Sequence, residues 1–283
     1  MKSDQLVMRM IKRGIVLISS FNRTFRYGLL VCFLALAQLV LAQEADSTKQ
    51  VIHLNGDISV TNNGISLIPS FSLGKPAMLF DLTASGKRYE FNPQLRFDLA
   101  GFKPWSFGFI SRYKVIQTDR LFMSVGTHFP GLVFNTTSVV KNGITMDQTT
   151  VMRFLPFELY TGYALNDKVQ LGLFSMYGIG LNKKDPDQPH ENIFISAQAR
   201  VDQLRLYKKV FFVLDPQVYY LKMDENDGFF AAISLTLARE NTPFSLSAMM
   251  NKMLKSEIPV KDFDWNISLV YSFRNELYRK KCY

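Results

Sequence analysis

Apolar and polar residues alternate along most of this chain with a period of two. The clearest case is Asp264–Phe273, DWNISLVYSF, where Trp265, Ile267, Leu269, Tyr271 and Phe273 fall on one face and Asn266, Ser268, Val270 and Ser272 on the other. Successive side chains of a strand point to opposite sides, so the segment has one greasy face and one small, mostly polar face. The greasy face carries aromatics at its ends and aliphatics between. That is the order a lipid-facing strand needs, because Trp and Tyr favour the headgroup level and Ile and Leu the hydrocarbon.

Arg88–Leu99 repeats the pattern, with Tyr89, Phe91, Pro93, Leu95, Phe97 and Leu99 against Arg88, Glu90, Asn92, Gln94, Arg96 and Asp98. So does Trp105–Ile116, where Trp105, Phe107, Phe109, Tyr113 and Val115 oppose Ser106, Gly108, Arg112 and Lys114. A soluble sandwich would have to bury such aromatic faces strand after strand; lipid accepts them without a core. Further strands are predicted at 54–60, Ile65–Leu73, Ala77–Thr83, Arg120–His128, Leu132–Val140, Thr150–Leu165, Lys168–Leu181, Asn192–Val201, Lys209–Lys222, Gly228–Arg239 and Pro243–Asn251. Asn62-Asn63-Gly64 predicts a tight hairpin between the first two, and His128-Phe129-Pro130-Gly131 a break in the middle. The fold class is therefore all-β, an antiparallel up-and-down transmembrane β-barrel of about 12–14 strands. With both termini periplasmic, Ala238–Thr242 and Asn166-Asp167 become periplasmic turns, and the polar Asn182–His190 and Lys252–Lys261 become extracellular loops.

Tyr27–Leu41 is a charge-free apolar run preceded by basic residues and followed by Ala42. It is short for a membrane helix, which needs about 20 residues, and has the form of a secretory signal peptide cleaved after Ala42. The expected organisation is a signal peptide over 1–42, a polar lead-in over 43–51, the barrel over 52–273 and a C-terminal tail over 274–283. Composition agrees. Charged residues are 20% and aromatics 13% of the chain, while mean hydropathy is only +0.01, as expected where every second residue is polar. Of the net charge of +9, residues 1–42 hold six basic residues against Asp4, or +5, leaving 27 basic and 23 acidic residues, or +4, for the rest. No basic stripe suits nucleic acid.

Charges must point inward, since Arg or Lys facing lipid at the midplane costs about 2–4 kcal/mol. Arg88, Glu90, Arg96, Asp98, Arg112, Lys114, Glu158, Arg200, Asp202 and Asp215 are therefore expected in the lumen. They would either set the selectivity of a pore or fill a narrow barrel with ion pairs. Tyr89, Trp105, Tyr113, Tyr163, Tyr177, Trp265, Tyr271 and Phe273 are expected in aromatic girdles.

Candidate chemistry is sparse. His53, His128 and His190 have no metal-like spacing, and Cys32 and Cys282 make no disulfide within the mature chain. No metal, cofactor or catalytic residue is assigned. His53 with Asp57 or Ser59 on one strand face is the best that a lipid-modifying enzyme could claim. A soluble periplasmic barrel for an apolar ligand is a third class.

The signal peptide, the alternating strands and the closing WNISLVYSF resemble a bacterial outer-membrane β-barrel protein. Residues 71–114, FSLGKPAMLFDLTASGKRYEFNPQLRFDLAGFKPWSFGFISRYK, are similar to uncharacterised barrels of the Bacteroidetes type. The resemblance implies outer-membrane localisation, the lipid bilayer as solvent, and recognition of the last strand by the barrel-assembly machinery. Phe273 is the expected terminal aromatic, ahead of Tyr283, because RNELYRKKCY lacks alternation. The function implied is a passive pore or a structural component of the outer membrane, without enzymatic activity.

Overall fold

A computed structural model describes residues 51–141, 144–182 and 188–278. The expected signal peptide, nearly all of the expected lead-in, both cysteines and residues 279–283 lie outside the described residues. Twelve strands form one closed antiparallel barrel: β1 (Val51–Thr61), β2 (Ala77–Ser85), β3 (Tyr89–Asp98), β4 (Pro104–Gln117), β5 (Leu121–Lys141), β6 (Ile144–Ala164), β7 (Val169–Gly180), β8 (Glu191–Tyr207), β9 (Val210–Met223), β10 (Asn226–Arg239), β11 (Phe244–Ser256) and β12 (Phe263–Tyr278). Each strand pairs with its sequence neighbours, and β12 closes on β1 from Val51↔Tyr278 to Thr61↔Ser268. Closure pairs every strand of the barrel wall on both sides.

The two ends of the barrel differ. At the near end, where Val51 and Tyr278 pair, the connections are short (86–88, 118–120, 165–168, 208–209, 240–243). At the far end, 62–76, 181–190 and 257–262 are longer, and the β5–β6 hairpin outruns its neighbours. β4 reaches β5 only as far as Ser106↔Val133, and β7 reaches β6 only as far as Phe154↔Gly180, so 134–141 and 144–153 pair with each other as a two-stranded ribbon. Lys103 in the β3–β4 connection forms an ion pair with Asp147 on that ribbon.

Three expectations change. Ile65–Leu73 is not a strand, and Asn62–Gly64 is not a tight hairpin: β1 pairs directly with β2, Thr61↔Ala77, and 62–76 leaves the sheet. Pro69 removes a ladder donor in the middle of that run. The asparagines are engaged elsewhere: Asn63 Nδ2 donates to Asp264 Oδ1 at 2.7 Å, and Asn62 Oδ1 accepts the Ile267 N–H at 2.7 Å. Second, β5 is one strand, not two, with a bulge between Thr127 and Gly131 that absorbs the His-Phe-Pro-Gly segment. Third, β12 continues past Phe273 to Tyr278, paired with Val51–Asn55. Backbone pairing with β1, rather than side-chain alternation, carries it on.

Candidate functional site

The interior is built by the even or odd half of each strand. In β3, Tyr89 and Phe91 are exposed outside while Asn92 is buried; in β12, Trp265, Ile267 and Leu269 are about half exposed. Among the described residues the inner surface lines several cavities, three of which mark its course from one end to the other. A near-end cavity of ≈ 1110 Å³ is bounded on opposite walls by Asn55 and Asp57 of β1, Asp81 of β2, Arg200 of β8, Asp215 of β9 and Ser247 of β11. Above it lies a small space of ≈ 140 Å³ that includes Gln94, Arg96, His128 and Asn192 in its lining. At the far end a cavity of ≈ 630 Å³ opens beside Ile65, Pro69, Phe230, Met253 and Val260.

Segment 62–76 separates these spaces. It turns into the barrel through a one-turn 3₁₀ helix, Pro69–Phe71. Leu67, Ile68 and Phe71 pack on a buried cluster of Phe194, Tyr219, Leu221, Met223 and Phe230. Tyr219 stacks between Phe194 and Phe230, with ring centroids 4.9 and 5.0 Å away. Phe71 meets Phe154 on the opposite wall at 5.3 Å. The far half of the lumen is therefore a filled apolar core, closed further by Ile258 from the β11–β12 connection; the near half is polar and hollow.

Among the residues expected in the lumen, Glu90, Arg112, Lys114 and Glu158 come together. Glu90 and Arg112 are register partners, as are Arg112 with Gly126 and Gly126 with Glu158, so four adjacent strands supply one row. Arg112 Nη1 lies 3.1 Å from Glu90 Oε1, and its Nε binds Glu158 Oε1. His128 Nε2 lies 3.0 Å from Glu158 Oε2. Gly126 makes the row possible: a Cβ there would sit 2.8 Å from Glu158 Oε1 and 3.0 Å from Arg112 Cγ. Neither Gly126 nor His128 stood out as functional in the sequence; a glycine inside an otherwise regular strand was the available signal. Arg200, Asp202 and Asp215 form a second group, with Arg200 Nε 3.0 Å from Asp202 Oδ1 and Nη1 3.1 Å from Asp215 Oδ1.

The others stand apart. Arg96 Nη2 donates to Gln94 Oε1 at 3.1 Å and its guanidinium lies over the Trp105 ring. Asp98 is buried and accepts the Ala100 N–H at 2.6 Å, capping its own turn. Arg88 sits in the near-end turn, donating to the carbonyls of Lys114 and Val115 at 3.0 and 3.1 Å.

Of the expected girdle, Tyr89, Tyr163, Tyr177, Trp265 and Tyr271 are exposed on the outer surface. Tyr113 packs edge-on against Tyr89 at 5.0 Å. Phe273 lies flat over Gly56, where a Cβ would meet its ring at 2.5 Å. Trp105 is the exception and does not belong to a girdle. It is 2% exposed, and its Nε1 donates to the Phe71 carbonyl at 2.8 Å. The cause is a register shift: Arg96 pairs with Ser106 but Phe97 pairs with Pro104. The extra residue turns Trp105 to the inner face, as a one-residue slip must.

His53 lies at the near-end mouth with Nδ1 3.4 Å from Glu276. Among the described residues no group of His, Cys, Asp and Glu is arranged to hold a metal ion.

A closed antiparallel barrel with a greasy exterior and a charged interior is the architecture of a membrane-spanning β-barrel. No family model matches the chain, and no curated protein does. Solved structures do. One is a KdgM porin in complex with disordered oligogalacturonate, 6% identical, covering 78% of this chain and 99% of that one, TM-score 0.49. Others are the CymD monoaromatic hydrocarbon channel, 8% identical over 83% and 90% of the two chains, TM-score 0.41, and an outer-membrane channel from Pseudomonas putida F1, 9% identical over 82% and 98%, TM-score 0.44. By description the first is a porin, the second a channel and the third an outer-membrane channel; none of these comparisons bears on the Bacteroidetes-type resemblance.

Proposed function

We propose that this chain is an outer-membrane barrel that forms a passive pore, non-enzymatic, with the segment 65–73 acting as its constriction. The observation that carries the reading is the near-end cavity of ≈ 1110 Å³, walled by polar and charged side chains from strands on both sides of the barrel. A barrel needing only a core would fill that space; a water-filled path is what its lining suits. Glu90, Arg96, Asp98, Arg112, Lys114, Glu158, Arg200, Asp202 and Asp215 remain the proposed polar set, with Arg200 and Asp215 nearest the conducting space, while Arg88 belongs to the near-end turn. In this reading residues 1–42 direct export and the barrel-assembly machinery inserts the chain through β12. The near end is periplasmic and the far end extracellular.

The test is conductance of the refolded mature chain in planar bilayers under a salt gradient. Arg200→Gln leaves Asp202 and Asp215 unopposed in the near-end cavity, and the reversal potential is expected to move toward cation preference. A folded Arg200→Gln barrel with an unchanged reversal potential would remove this cavity from the path.

A further inference from the structure

We infer that the near-end rim is a binding collar for anionic phospholipid headgroups. The inference rests on the membrane-barrel reading above and adds the chemistry of the surface at one end.

Charge is distributed unequally between the two sets of connections. Those of the near end hold Lys87, Arg88, Arg120, Lys168, Lys208 and Lys209 against Asp119, Asp167 and Glu240, six minus three, or +3. Among the described residues, those of the far end hold Lys75, Lys103 and Lys261 against Asp224, Glu225, Glu257 and Asp262, three minus four, or −1. The near-end turns alone account for most of the +4 carried by residues 43–283.

The basic residues also occupy one repeated structural position. Each near-end turn ends on a residue whose carbonyl accepts a backbone N–H from the far side of the following hairpin. Arg88 accepts from Lys114, Arg120 from Ala164, Lys168 from Asp202, Lys209 from Glu240 and Pro243 from Ser272, each at 2.8 Å. Four of these five acceptors are Arg or Lys. Their backbones are fixed to the rim, and positions two strands apart are about 10 Å apart. The result is a row of cations at one height rather than a scatter of mobile charges. Arg120, Lys168 and Lys209 are all exposed.

The surface immediately inside this row is the near-end aromatic belt. Tyr89 follows Arg88 directly, and Tyr163 is the register partner of Leu121, next to Arg120. Tyr207 is exposed, with Lys208 Nζ 5.1 Å from its ring centre. Tyr side chains mark headgroup depth in a bilayer, so cations one residue further out stand at the lipid phosphates. Opposite charge at that depth selects lipids with a net negative headgroup over zwitterionic ones, and salt weakens the selection.

The experiment reconstitutes the full mature chain in nanodiscs of mixed phosphatidylcholine and phosphatidylglycerol. Native mass spectrometry then reads the ratio of the two lipids released with the protein. The wild type is expected to retain phosphatidylglycerol in excess of its share, with each neutralised collar residue lowering the excess by about fivefold at low salt, the effect of one basic group at a membrane surface. Arg120→Gln/Lys168→Gln/Lys209→Gln should abolish the excess, while far-end Lys252→Gln/Lys255→Gln should keep it. A triple variant with the wild-type ratio, or a control that loses the excess equally, overturns the collar. Should the triple variant not refold, Lys168→Gln and Lys209→Gln are read singly, and no graded loss has the same meaning. A heat-modifiable gel band checks the barrel itself, so a folded barrel indifferent to lipid charge refutes the collar and leaves the barrel standing.

Discussion

Removing the segment that fills the far half of the lumen should turn a constricted barrel into an open one. The excision is structurally simple because the neck of the segment is already closed. The Gly64 N–H donates to the Lys75 carbonyl at 2.7 Å, and the Leu73 and Gly74 N–H groups donate to the Gly64 carbonyl at 2.8 and 3.1 Å. Joining Gly64 to Gly74 leaves Gly-Gly between Asn63 and Lys75, a pair suited to a two-residue hairpin turn. The energetics indicate how firmly the segment is held. Ile65, Leu67, Ile68, Phe71 and Leu73, mostly half-buried, contribute about 1.5 kcal/mol each, and the Trp105 hydrogen bond about 1 kcal/mol, for about 8 kcal/mol in all. Ordering nine backbone residues costs about 9 kcal/mol at the low end of the usual range. The two nearly cancel, so the segment is poised rather than locked, and a single truncation should move it. Phe71→Ala removes a half-buried ring worth about 2 kcal/mol, a shift of about 30-fold toward the withdrawn state. In planar bilayers the wild type should then alternate between closed and open levels, Phe71→Ala should stay mostly open, and the excised barrel should show a steady open level. An excised barrel that still shows heat-modifiable mobility but conducts no better than the wild type would refute the claim that 65–73 is the constriction.

Other outcomes follow from the same geometry. The chain has two tryptophans, one buried inside and one outside: with brominated lipid, the Trp105→Phe protein should be strongly quenched and the Trp265→Phe protein hardly at all, and equal quenching would contradict the inward turn of Trp105. Gly126→Ala puts a methyl against Arg112 and Glu158, so the loss in urea unfolding of the refolded barrel should be about 1–3 kcal/mol, the range for an overpacked site; a loss under about 0.5 kcal/mol, the level of an ordinary surface change, would show that the row accommodates a methyl. Gating and selectivity should separate, because Phe71 lies in the apolar half and Arg200 in the polar half: Phe71→Ala is expected to change open probability and leave reversal potential alone, Arg200→Gln the reverse, and mixed effects in both would place the filter at the constriction.

Much of the barrel was legible because lipid imposes a strict period on its wall. β3 and β7 were found within a residue at each end from alternation alone, and β12 was found at its start but ended five residues early. The errors have local causes. Pro69 lay in a run whose apolar spacing was right for a strand, but the missing N–H sent it inward, where its apolar face met an apolar lumen. Trp105 was assigned by parity, and parity fails across a bulge that only the pairing of Arg96 and Phe97 with β4 reveals. The Glu90–Arg112–Glu158 row depends on register, which no single strand contains.

The filled half of the lumen nevertheless left a trace in the sequence. A wall between lipid and water alternates, whereas a wall between lipid and a packed plug is apolar on both faces. At the far ends of three consecutive strands the alternation stops: Ile193-Phe194-Ile195 in β8, Val218-Tyr219-Tyr220-Leu221 in β9 and Phe229-Phe230 in β10. In each, one set faces out, as exposed Ile195, Val218 and Phe229 do, and the other is buried, as Phe194, Tyr219, Leu221 and Phe230 are. The near ends of the same strands return to alternation at Gln198 and Arg200, at Asp215 and Gln217, and at Ser234 and Thr236. Loss of the two-residue period over part of a strand, repeated at one height in neighbours, thus marks where a barrel exchanges water for protein on its inner side. Read that way, the doubled apolar stretches of β8–β10 and the segment 65–73, whose apolar spacing predicted a strand, are two halves of one observation: a lumen surface in need of cover and a nearby piece of chain with the apolar face to cover it.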